Sequence, residues 1–319
     1  MSPKPEKRKY IALIDAVPGI SEKNEDLILE TMIHADLRVK KCIAEFYLND
    51  IPLRRLNSSF QGFYSEAAHI WLVDGINEVK VVVCPGTTPS RAQVPPPGDS
   101  VVSAPKDAED EKTAKESEKE DTGGGGDKEA SISIVQYPVG VFAGDESSGQ
   151  LMMKAEWTSV QAPAPKFPCV VSESRDLDRM FGTWAWQKAD RLDLEADMSE
   201  VKGAVMYIHR AFEDGDGKRI AEMARHYLED IGRAIPAYGT KRFTMDMIMD
   251  INGNAGRKGW TMPIDCEEMD FRLCADGRLV QIIDRNWHPT IRTIPQPDGE
   301  IYPFPVLIGR IDGELQILL

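Results

Sequence analysis

Residues 199–231, SEVKGAVMYIHRAFEDGDGKRIAEMARHYLEDI, contain the pattern that decides the fold class of the C-terminal half of the chain. Their apolar side chains recur at the spacing that places residues on one face of an amphipathic helix. The DGDG run at 214–217 interrupts this pattern, so the stretch predicts two successive helices. Ser199 is the predicted N-cap of the first helix, and Gly232 is predicted to end the second.

Antiparallel hairpins are predicted after the helices. A third helix is expected over 244–251, and Asp-Gly pairs at 276–277 and 312–313 then separate apolar runs that suit strands. The predicted strands cover 269–273 with 279–284, then 290–294, then 302–310 with 314–318. Helices followed by hairpins favour an α+β domain.

The N-terminal part of the chain has a period of two, which indicates strands. An Asn-Asp pair at 49–50 predicts a hairpin over 46–56, and an alternating strand is predicted over 77–83. Several short strands at this spacing predict an antiparallel β-sandwich or barrel. Residues 27–33 suit a short capped helix, although some of their side chains suit a strand as well.

Residues 87–130 consist mainly of Pro, Ser, Lys, Glu, Asp and Gly, without a pattern that would build a core. We interpret them as a disordered acidic insertion. Strand-like runs resume at residue 131, and either half alone is small for a sandwich, so the insertion is expected to interrupt one β-domain. The predicted domains are therefore 1–172, a β-sandwich interrupted by 87–130, and 173–319, an α+β domain.

Two sets of polar or aromatic side chains are expected to be structural. Trp184 and Trp186 should anchor an inter-domain contact or the next core, with an aromatic binding platform as the alternative. Asn77 follows an Asp-Gly turn, and its amide should hydrogen-bond the turn backbone rather than a ligand.

The charge of the chain excludes two classes of partner. Its 319 residues contain 52 Asp and Glu against 38 Lys and Arg, for a formal net charge of -14. An acidic surface opposes binding to nucleic acid and to anionic membranes. No stretch is apolar enough for a membrane span or a secretory signal, which favours a cytoplasmic location. The five cysteines have no CxxC spacing and are expected to be buried, reduced thiols.

Two regions resemble known families. Residues 46–52 (FYLNDIP) and 71–81 (WLVDGINEVKV) resemble β-sandwich accessory domains of the galactose-binding-like and immunoglobulin-like kinds. Residues 205–216 (VMYIHRAFEDGD), followed by 220–223 (IAEM), resemble the opening helices of the nuclear-transport-factor-2-like superfamily. The second resemblance implies a cone fold over 199–319, in which a curved antiparallel sheet wraps a long helix and leaves a pocket. That superfamily includes isomerases, dehydratases and non-catalytic binding modules, so the resemblance does not select a function.

His209 is the candidate acid–base residue for such a pocket, because it lies at the edge of the apolar face of its predicted helix. His226 lies on a polar face, and no spacing nominates a partner for either histidine. The DINGN run at 250–254 imitates a calcium loop, but Ala255 and Thr261 stand where a glycine and a glutamate are required. No nucleophile-elbow, zinc-protease, phosphate-loop or dinucleotide motif is present, so neither a metal nor a cofactor is predicted.

These patterns favour a non-enzymatic protein-binding or adaptor protein of the bacterial immunity or accessory type, with another protein as its partner. The alternative is an enzyme of the isomerase, dehydratase or hydrolase type that binds a small molecule in the C-terminal pocket and uses His209 as acid or base. A third hypothesis is carbohydrate binding through Trp71. Two further groups of side chains are expected to pack inside the protein. The first is Asp284, Trp287 and His288, which could instead line the mouth of the pocket. The second is the methionines Met245, Met247, Met249 and Met262, which could instead form an adaptable groove for a partner.

Overall fold

The computed structural model describes residues 31–58, 62–84, 127–141, 143–160, 167–177, 181–236, 238–253, 260–284, 288–294 and 303–318. Within these ranges the chain is a mixed α+β protein whose paired strands form antiparallel sheets. Most of the predicted insertion, residues 87–126, lies outside the described residues, as do residues 27–30 of the predicted first helix. Residues 31–33 belong to a strand that begins at Thr31, so the helix predicted there is wrong and the strand alternative is correct.

The first sheet has the strand order β4-β1-β6-β7. Strand β6 follows the predicted insertion in sequence and pairs with β1 along its whole length, so strands from both sides of the insertion lie side by side. The insertion was expected to extend to residue 130, but β6 already begins at Glu129. The strands are β1 (Thr31–Lys40), β4 (Phe63–Ala67), β6 (Glu129–Pro138) and β7 (Gln150–Thr158).

The second sheet has the order β3-β2-β5-β8. The hairpin predicted around Asn49 and Asp50 is confirmed: both residues have positive φ, 53° and 61°, as a two-residue type I′ turn requires. The boundary predicted between residues 172 and 173 falls inside β8. The strands are β2 (Ile43–Leu48), β3 (Ile51–Asn57), β5 (Ile76–Val83) and β8 (Cys169–Asp176).

These two sheets contribute side chains to one buried cluster. Alternate residues of β2 and β5, such as Phe46 and Val81, meet residues of β1 and β6, such as Leu37 and Ile132, and all four are fully buried. Removing each such side chain from water stabilises the fold by roughly 1.5–3 kcal/mol. The period-two pattern therefore determines which side of each strand faces this core.

Asn77 fixes the turn before β5. Its side chain is fully buried, donates from Nδ2 to the carbonyls of Val73 (2.9 Å) and Gly75 (3.0 Å), and accepts at Oδ1 from the Val73 N–H (2.8 Å). Asn49 Nδ2 also donates to Asn77 Oδ1 (2.8 Å), which links this turn to the β2–β3 hairpin. The prediction that the Asn77 amide hydrogen-bonds the turn backbone is confirmed.

Five α-helices follow in the described part of the chain, and their boundaries differ in part from those predicted. The first long helix begins at Leu194, not after Ser199, because Asp193 is its N-cap and accepts from the Glu195 N–H (2.9 Å). The predicted second helix is divided at Ala224, and it continues through Gly232 instead of ending there. The third predicted helix is confirmed and is longer than expected. The helices are α1 (Ala185–Lys188), α2 (Leu194–Glu213), α3 (Gly217–Met223), α4 (Arg225–Ala234) and α5 (Gly239–Gly253).

The third sheet, in the order β14-β13-β10-β9, packs against α2. Both predicted Asp-Gly hairpins are confirmed, and Val205 and Ile208 of α2 share a buried cluster with Val280 and Ile308 of the sheet. The run predicted at 290–294 contributes only a two-residue strand, β11, which pairs with β12. The strands are β9 (Asp270–Cys274), β10 (Leu279–Ile283), β11 (Ile291–Arg292), β12 (Pro303–Phe304), β13 (Leu307–Ile311) and β14 (Glu314–Ile317).

The two tryptophans beside α1 join the N-terminal and C-terminal parts. Trp184 Nε1 donates to the Leu72 carbonyl (2.6 Å) and Trp186 Nε1 donates to the Ile70 carbonyl (2.8 Å), and both rings are buried. Their apolar bodies pack in a cluster that includes Ile70 and residues of the third sheet. The prediction that they anchor a contact between the two parts is confirmed.

The structure also shows the state of the cysteines and the length and apolarity of the helices. All five cysteines are free. Cys42 and Cys274 are buried, Cys169 and Cys266 are partly buried, and Cys84 is exposed because it follows β5 where the chain leaves the sheet. The prediction of buried thiols is therefore confirmed for Cys42 and Cys274, only in part for Cys169 and Cys266, and wrong for Cys84. None of the helices in the described ranges is both long enough and apolar enough to cross a lipid bilayer.

Candidate functional site

A groove of about 590 Å³ lies where helices α2 and α3 meet strand β14. Side chains from all three elements line it, so it is built by the packing of the helices on the third sheet. We call it the β14 groove, and its lining residues include Glu200, Tyr207, Arg219, Glu222, Glu314 and Leu315.

One wall of the groove is a stripe along α2. Glu200, Ala204 and Tyr207 recur at helical spacing and line the groove, while the neighbouring stripe around Val205 is buried against the third sheet. Tyr207 is 52% exposed and the adjacent Met206 is 47% exposed, although both are large apolar side chains. Helix α2 therefore packs with one stripe and presents another to solvent.

The second wall is α3, which is fixed to the end of α2 by charged groups. Asp216 is the N-cap of α3 and accepts from the Arg219 N–H (3.0 Å). The Arg219 guanidinium lies 3.1 Å from Asp216 and 3.6 Å from Asp214, and its Cζ is 5.6 Å from the centre of the Tyr207 ring. Tyr207 and Arg219 therefore stand next to each other at the groove wall.

Strand β14 forms the third side, and it is an edge strand. Within the described residues β13 is the only strand that pairs with it. Asp312 and Gly313, with φ of 52° and 81°, make the two-residue turn that connects the pair. The opposite edge of β14 therefore has no described strand beside it.

The register shows which backbone groups of β14 point away from β13. Glu314 pairs with Ile311 across the two-residue turn, and the Leu318 N–H donates to the Leu307 carbonyl (2.9 Å). Hydrogen-bonded pairs alternate in an antiparallel ladder, so the intervening Leu315 directs its N–H and C=O toward the free edge. The backbone of Leu315 is thus oriented to pair with a further strand.

The groove runs along β14. The Leu315 side chain packs against the cluster beneath α2, whereas Glu314 and Gln316, one position away on each side, point to the other face. All three residues line the groove. Three consecutive residues of the edge strand therefore border the cavity.

The groove is acidic. Arg310 Nη2 binds Glu200 (2.6 Å) and Asp197 (3.0 Å), and hydrogen bonds from the Asp193 N–H and from Arg310 hold the pKa of Asp197 below its usual value. Glu314 has no ion pair within the described residues. Five carboxylates and three basic groups line the groove or pair with a lining residue, an excess of two negative charges. They are Glu200, Asp214, Asp216, Glu222 and Glu314, and Lys218, Arg219 and Arg310.

His209, the candidate acid–base residue, does not line the β14 groove. Its side chain is buried, and Nε2 lies 2.8 Å from the carbonyl oxygen of Met262. A carbonyl can only accept, so Nε2 carries the proton and donates. His209 therefore ties α2 to the segment that follows α5, while His226 of α4 lies 3.6 Å from Glu229 on the same helix.

Two stretches imitate calcium loops: 250–254, and 214–222, in which Lys218 stands in a ligand position. Their described residues are parts of helices or of the turn between α2 and α3. Asp250 and Asn252 lie in the last turns of α5, and Asn252 Oδ1 accepts from the Gly217 N–H (2.9 Å) at the start of α3. Within the described ranges no group of three or more His, Cys, Asp and Glu side chains is arranged to hold a metal ion. No residue of these stretches is thus identified as a ligand.

Asp284 and His288 form a local pair, while Trp287 lies outside the described residues. Burial acts to raise the pKa of Asp284, but the hydrogen bonds from His288 and the nearby Arg292 (2.9 Å) outweigh it and lower the pKa to about 2. Trp71, the carbohydrate candidate, is partly buried against two apolar clusters, and its carbonyl accepts from Asn49 Nδ2 (2.7 Å). The contacts of these residues are structural ones.

Sequence reasoning missed a polar network on the first sheet. Ser65 Oγ donates to Asp36 Oδ1 (2.6 Å), Tyr137 Oη donates to Asp36 Oδ2, and His34 Nδ1 lies 3.1 Å from Ser65 Oγ. The serine bonds the carboxylate directly, so the histidine does not stand between them as it does in a catalytic triad. The alternation of His34, Asp36 and Arg38 along β1 was the available signal, but the partners come from β4 and β6.

A second missed network joins the second and third sheets. Tyr47 Oη donates to Glu45 Oε2 (2.6 Å) and accepts from Arg272 Nη2, and Arg55 Nη1 lies 3.4 Å from Glu45 Oε1. Glu45 is fully buried, and Tyr47 and Arg272 are nearly so. Sequence spacing could not reveal this contact, because Arg272 lies in β9 and Glu45 in β2.

Comparison of the chain with protein-family models, with curated proteins and with solved structures finds no match. Function is therefore argued from the geometry of the β14 groove.

Proposed function

We propose that this chain is a non-enzymatic protein-binding or adaptor protein, of the type represented by bacterial immunity and accessory factors, and that its partner binds in the β14 groove. The main supporting observation is the free edge of β14, where the Leu315 backbone faces an open, acidic groove. Unpaired strand edges are the sites at which sheets recruit another chain.

The exposed side chains of α2 add support for a protein partner. Tyr207 and Met206 are about half exposed, and tyrosine and methionine are enriched at protein interfaces. A small ligand would instead favour an enclosed pocket that buries most of its surface. The open acidic groove matches a macromolecular partner better.

The alternative of an enzyme with His209 as acid or base has less support. His209 lies outside the groove, and its Nε2 proton is committed to the Met262 carbonyl. The five free cysteines agree with the proposed cytoplasmic location, in which thiols stay reduced.

The proposal includes a finer description of the fold. We interpret the first two sheets as the layers of a β-sandwich, since they share one buried cluster. We interpret α2 and the third sheet as a cone-like unit, since the long helix packs on an antiparallel sheet. The groove would then lie at the rim of that unit.

Site-specific photocrosslinking in the native cells tests the proposal. A benzoylphenylalanine at position 207, in the groove wall, should give a discrete protein adduct, because Tyr207 is accessible there. The same probe at Leu151, which is 47% exposed on β7 of the first sheet, is the matched control. Absence of an adduct at 207, or the same adduct from both positions, would contradict binding at the groove.

A further inference from the structure

Building on the proposed function, we infer that the partner supplies an extended segment with alternating basic side chains, which pairs with β14 as an additional strand. The inference names the secondary structure and the charge of the bound segment. Two features of β14 support it independently: the direction of its backbone groups and the sign of the charges around them.

The backbone of β14 sets the geometry of the bound segment. Leu315 directs both its N–H and its C=O to the free edge, and a strand that accepts and donates there would lie about 4.8 Å from β14. The four residues of β14 span roughly 13 Å at about 3.3 Å per residue, so the paired part of the segment is about four residues long. A helix could not satisfy both groups of Leu315, because its own N–H and C=O groups are paired internally.

The surrounding charges set its composition. Glu314 lies on one face of the edge, and Glu200 and Glu222 lie on the helical side, within a region that has an excess of negative charge. Side chains at alternate positions of an added strand lie on the same side, so lysine or arginine at those positions would meet the carboxylates of one of these two sides. Gln316 also lines the groove, and its Oε1 is buried without a hydrogen-bond partner in the described part of the chain.

The same charges oppose pairing between two copies of this chain. Joining two β14 edges would bring the Glu314 carboxylates and their acidic neighbours together, and like charges on adjacent strands are destabilising. The edge is thus protected against itself while it remains complementary to a basic strand. This asymmetry favours a different protein as the occupant.

Three synthetic peptides and the full chain provide the test. The probe is a fluorescent KVKVKVK peptide, compared with the same peptide methylated at alternate backbone nitrogens and with EVEVEVE, by fluorescence anisotropy. Methylation keeps the charge but removes the N–H groups that would pair with β14, so it should weaken binding about tenfold or more. The acidic peptide should not bind. Hydrogen exchange at the Leu315 amide should slow when KVKVKVK is bound.

Two variants of one residue separate the backbone from the side chain. Leu315→Pro removes the N–H that faces the edge without removing a bond to β13, because Leu315 is a non-hydrogen-bonded position of that ladder. Leu315→Ala loses the side chain but retains the N–H. The proline variant should bind KVKVKVK about tenfold more weakly than the alanine variant. Thermal melts show whether the proline variant is folded, and the methylated peptide tests the same point on the unaltered chain.

The outcomes distinguish this inference from the proposed function. Equal binding of the methylated and unmethylated peptides, or equal or tighter binding of the acidic peptide, would overturn strand addition, even if a groove-specific photocrosslink at 207 still showed protein binding. A dimer in sedimentation that Leu315→Pro dissociates would identify a second copy as the occupant and would also overturn it. Loss of the groove-specific photocrosslink would instead contradict the proposed function.

Discussion

Two helical glycines, Gly232 in α4 and Gly203 in α2, should respond in opposite directions to replacement by alanine. Alanine is favoured over glycine inside a helix by about 1 kcal/mol, because glycine loses more backbone entropy on folding. At Gly203 an added Cβ would meet no atom within 4 Å. Gly203→Ala should therefore stabilise the protein by about 0.5–1 kcal/mol.

At Gly232 the neighbouring helix opposes that gain. An added Cβ would lie 2.0 Å from Thr240 Oγ1 and 2.5 Å from the Thr240 backbone nitrogen. A normal contact is about 3.5 Å, so α4 and α5 would have to separate by about 1 Å. Overpacking of this kind destabilises by about 1–3 kcal/mol, and subtracting the helix gain of about 1 kcal/mol leaves a net loss of up to about 2 kcal/mol for Gly232→Ala.

Urea denaturation followed by tryptophan fluorescence would measure both effects, and the thermal midpoints should move apart by roughly 2–4 °C per kcal/mol. Because the second contact is with backbone, Thr240→Ala should not rescue Gly232→Ala. A stabilised Gly232→Ala variant, or a full rescue by Thr240→Ala, would refute the argument that the close approach of the two helix backbones determines the response.

Three further predictions concern groups outside the groove. Burial lowers the pKa of His69 from 6.5 to about 4 and, for Glu66, raises the pKa from 4.5 to about 7. The folded state disfavours a proton on His69, so the contribution of His69 to stability is lost as pH falls from 6.5 to about 4. The folded state retains a proton on Glu66, so the contribution of Glu66 is lost as pH rises from 4.5 to about 7. Between about pH 4.5 and 6.5, His69→Gln should make the free energy of unfolding fall more steeply with rising pH, and Glu66→Gln should make it fall less steeply or rise. Denaturation curves at several pH values measure this slope, and a slope unchanged in both variants would contradict the prediction. Glu45→Gln should lower the free energy of unfolding, measured by urea denaturation, by about 3–5 kcal/mol, because it leaves Arg272 buried without its carboxylate. Adding Arg272→Met should recover part of that loss. Additive effects of the two substitutions would contradict the coupling between Glu45 and Arg272. His209→Leu should lower the free energy of unfolding by about 1–3 kcal/mol, because it leaves the Met262 carbonyl without its hydrogen-bond donor. Binding of KVKVKVK should be unchanged, and a loss of affinity would place His209 in the binding site.

The parts of the fold that sequence predicted were those with local causes. The turns at 49–50, 276–277 and 312–313 are specified by two residues that tolerate positive φ, so their hairpins were visible without knowledge of the rest of the chain. Asn77 likewise binds the backbone of its own turn. Periodicity identified α2 because its core-facing stripe repeats within the helix itself.

The errors arose where a distant segment decides the outcome. Gly232 looked like a helix end, but the helix continues because only glycine leaves room for Thr240 of α5. Ser199 looked like an N-cap, but Asp193 caps the helix earlier in the chain. The sequence indicated that Trp184 and Trp186 pack in a contact or core. It could not name the carbonyl groups that they bind, because those carbonyls lie more than 100 residues earlier in the chain.

The β14 groove illustrates why a candidate site can be missed even when each element is predicted. Residues 314–318 were recognised as a strand, but sequence does not show which strand of a sheet lacks a neighbour. That property depends on the order β14-β13-β10-β9, and the acidic wall depends on α2 and α3 packing beside the edge. The residue that periodicity nominated, His209, lies on the same helix but on the side that binds the Met262 carbonyl.

The contrast between Glu45 and Glu314 bears directly on function. Glu45 lies on β2, which has a strand on each side, and its carboxylate is neutralised inside the protein by Arg272 and Arg55. Glu314 lies on β14, which has a described strand on one side only, and no described basic side chain pairs with it. An unpaired backbone edge and an excess of negative charge thus coincide in one place, and a basic strand would satisfy both. A small cationic ligand would neutralise the charge but leave the Leu315 backbone unpaired, which is why the N-methylated peptide is the decisive probe.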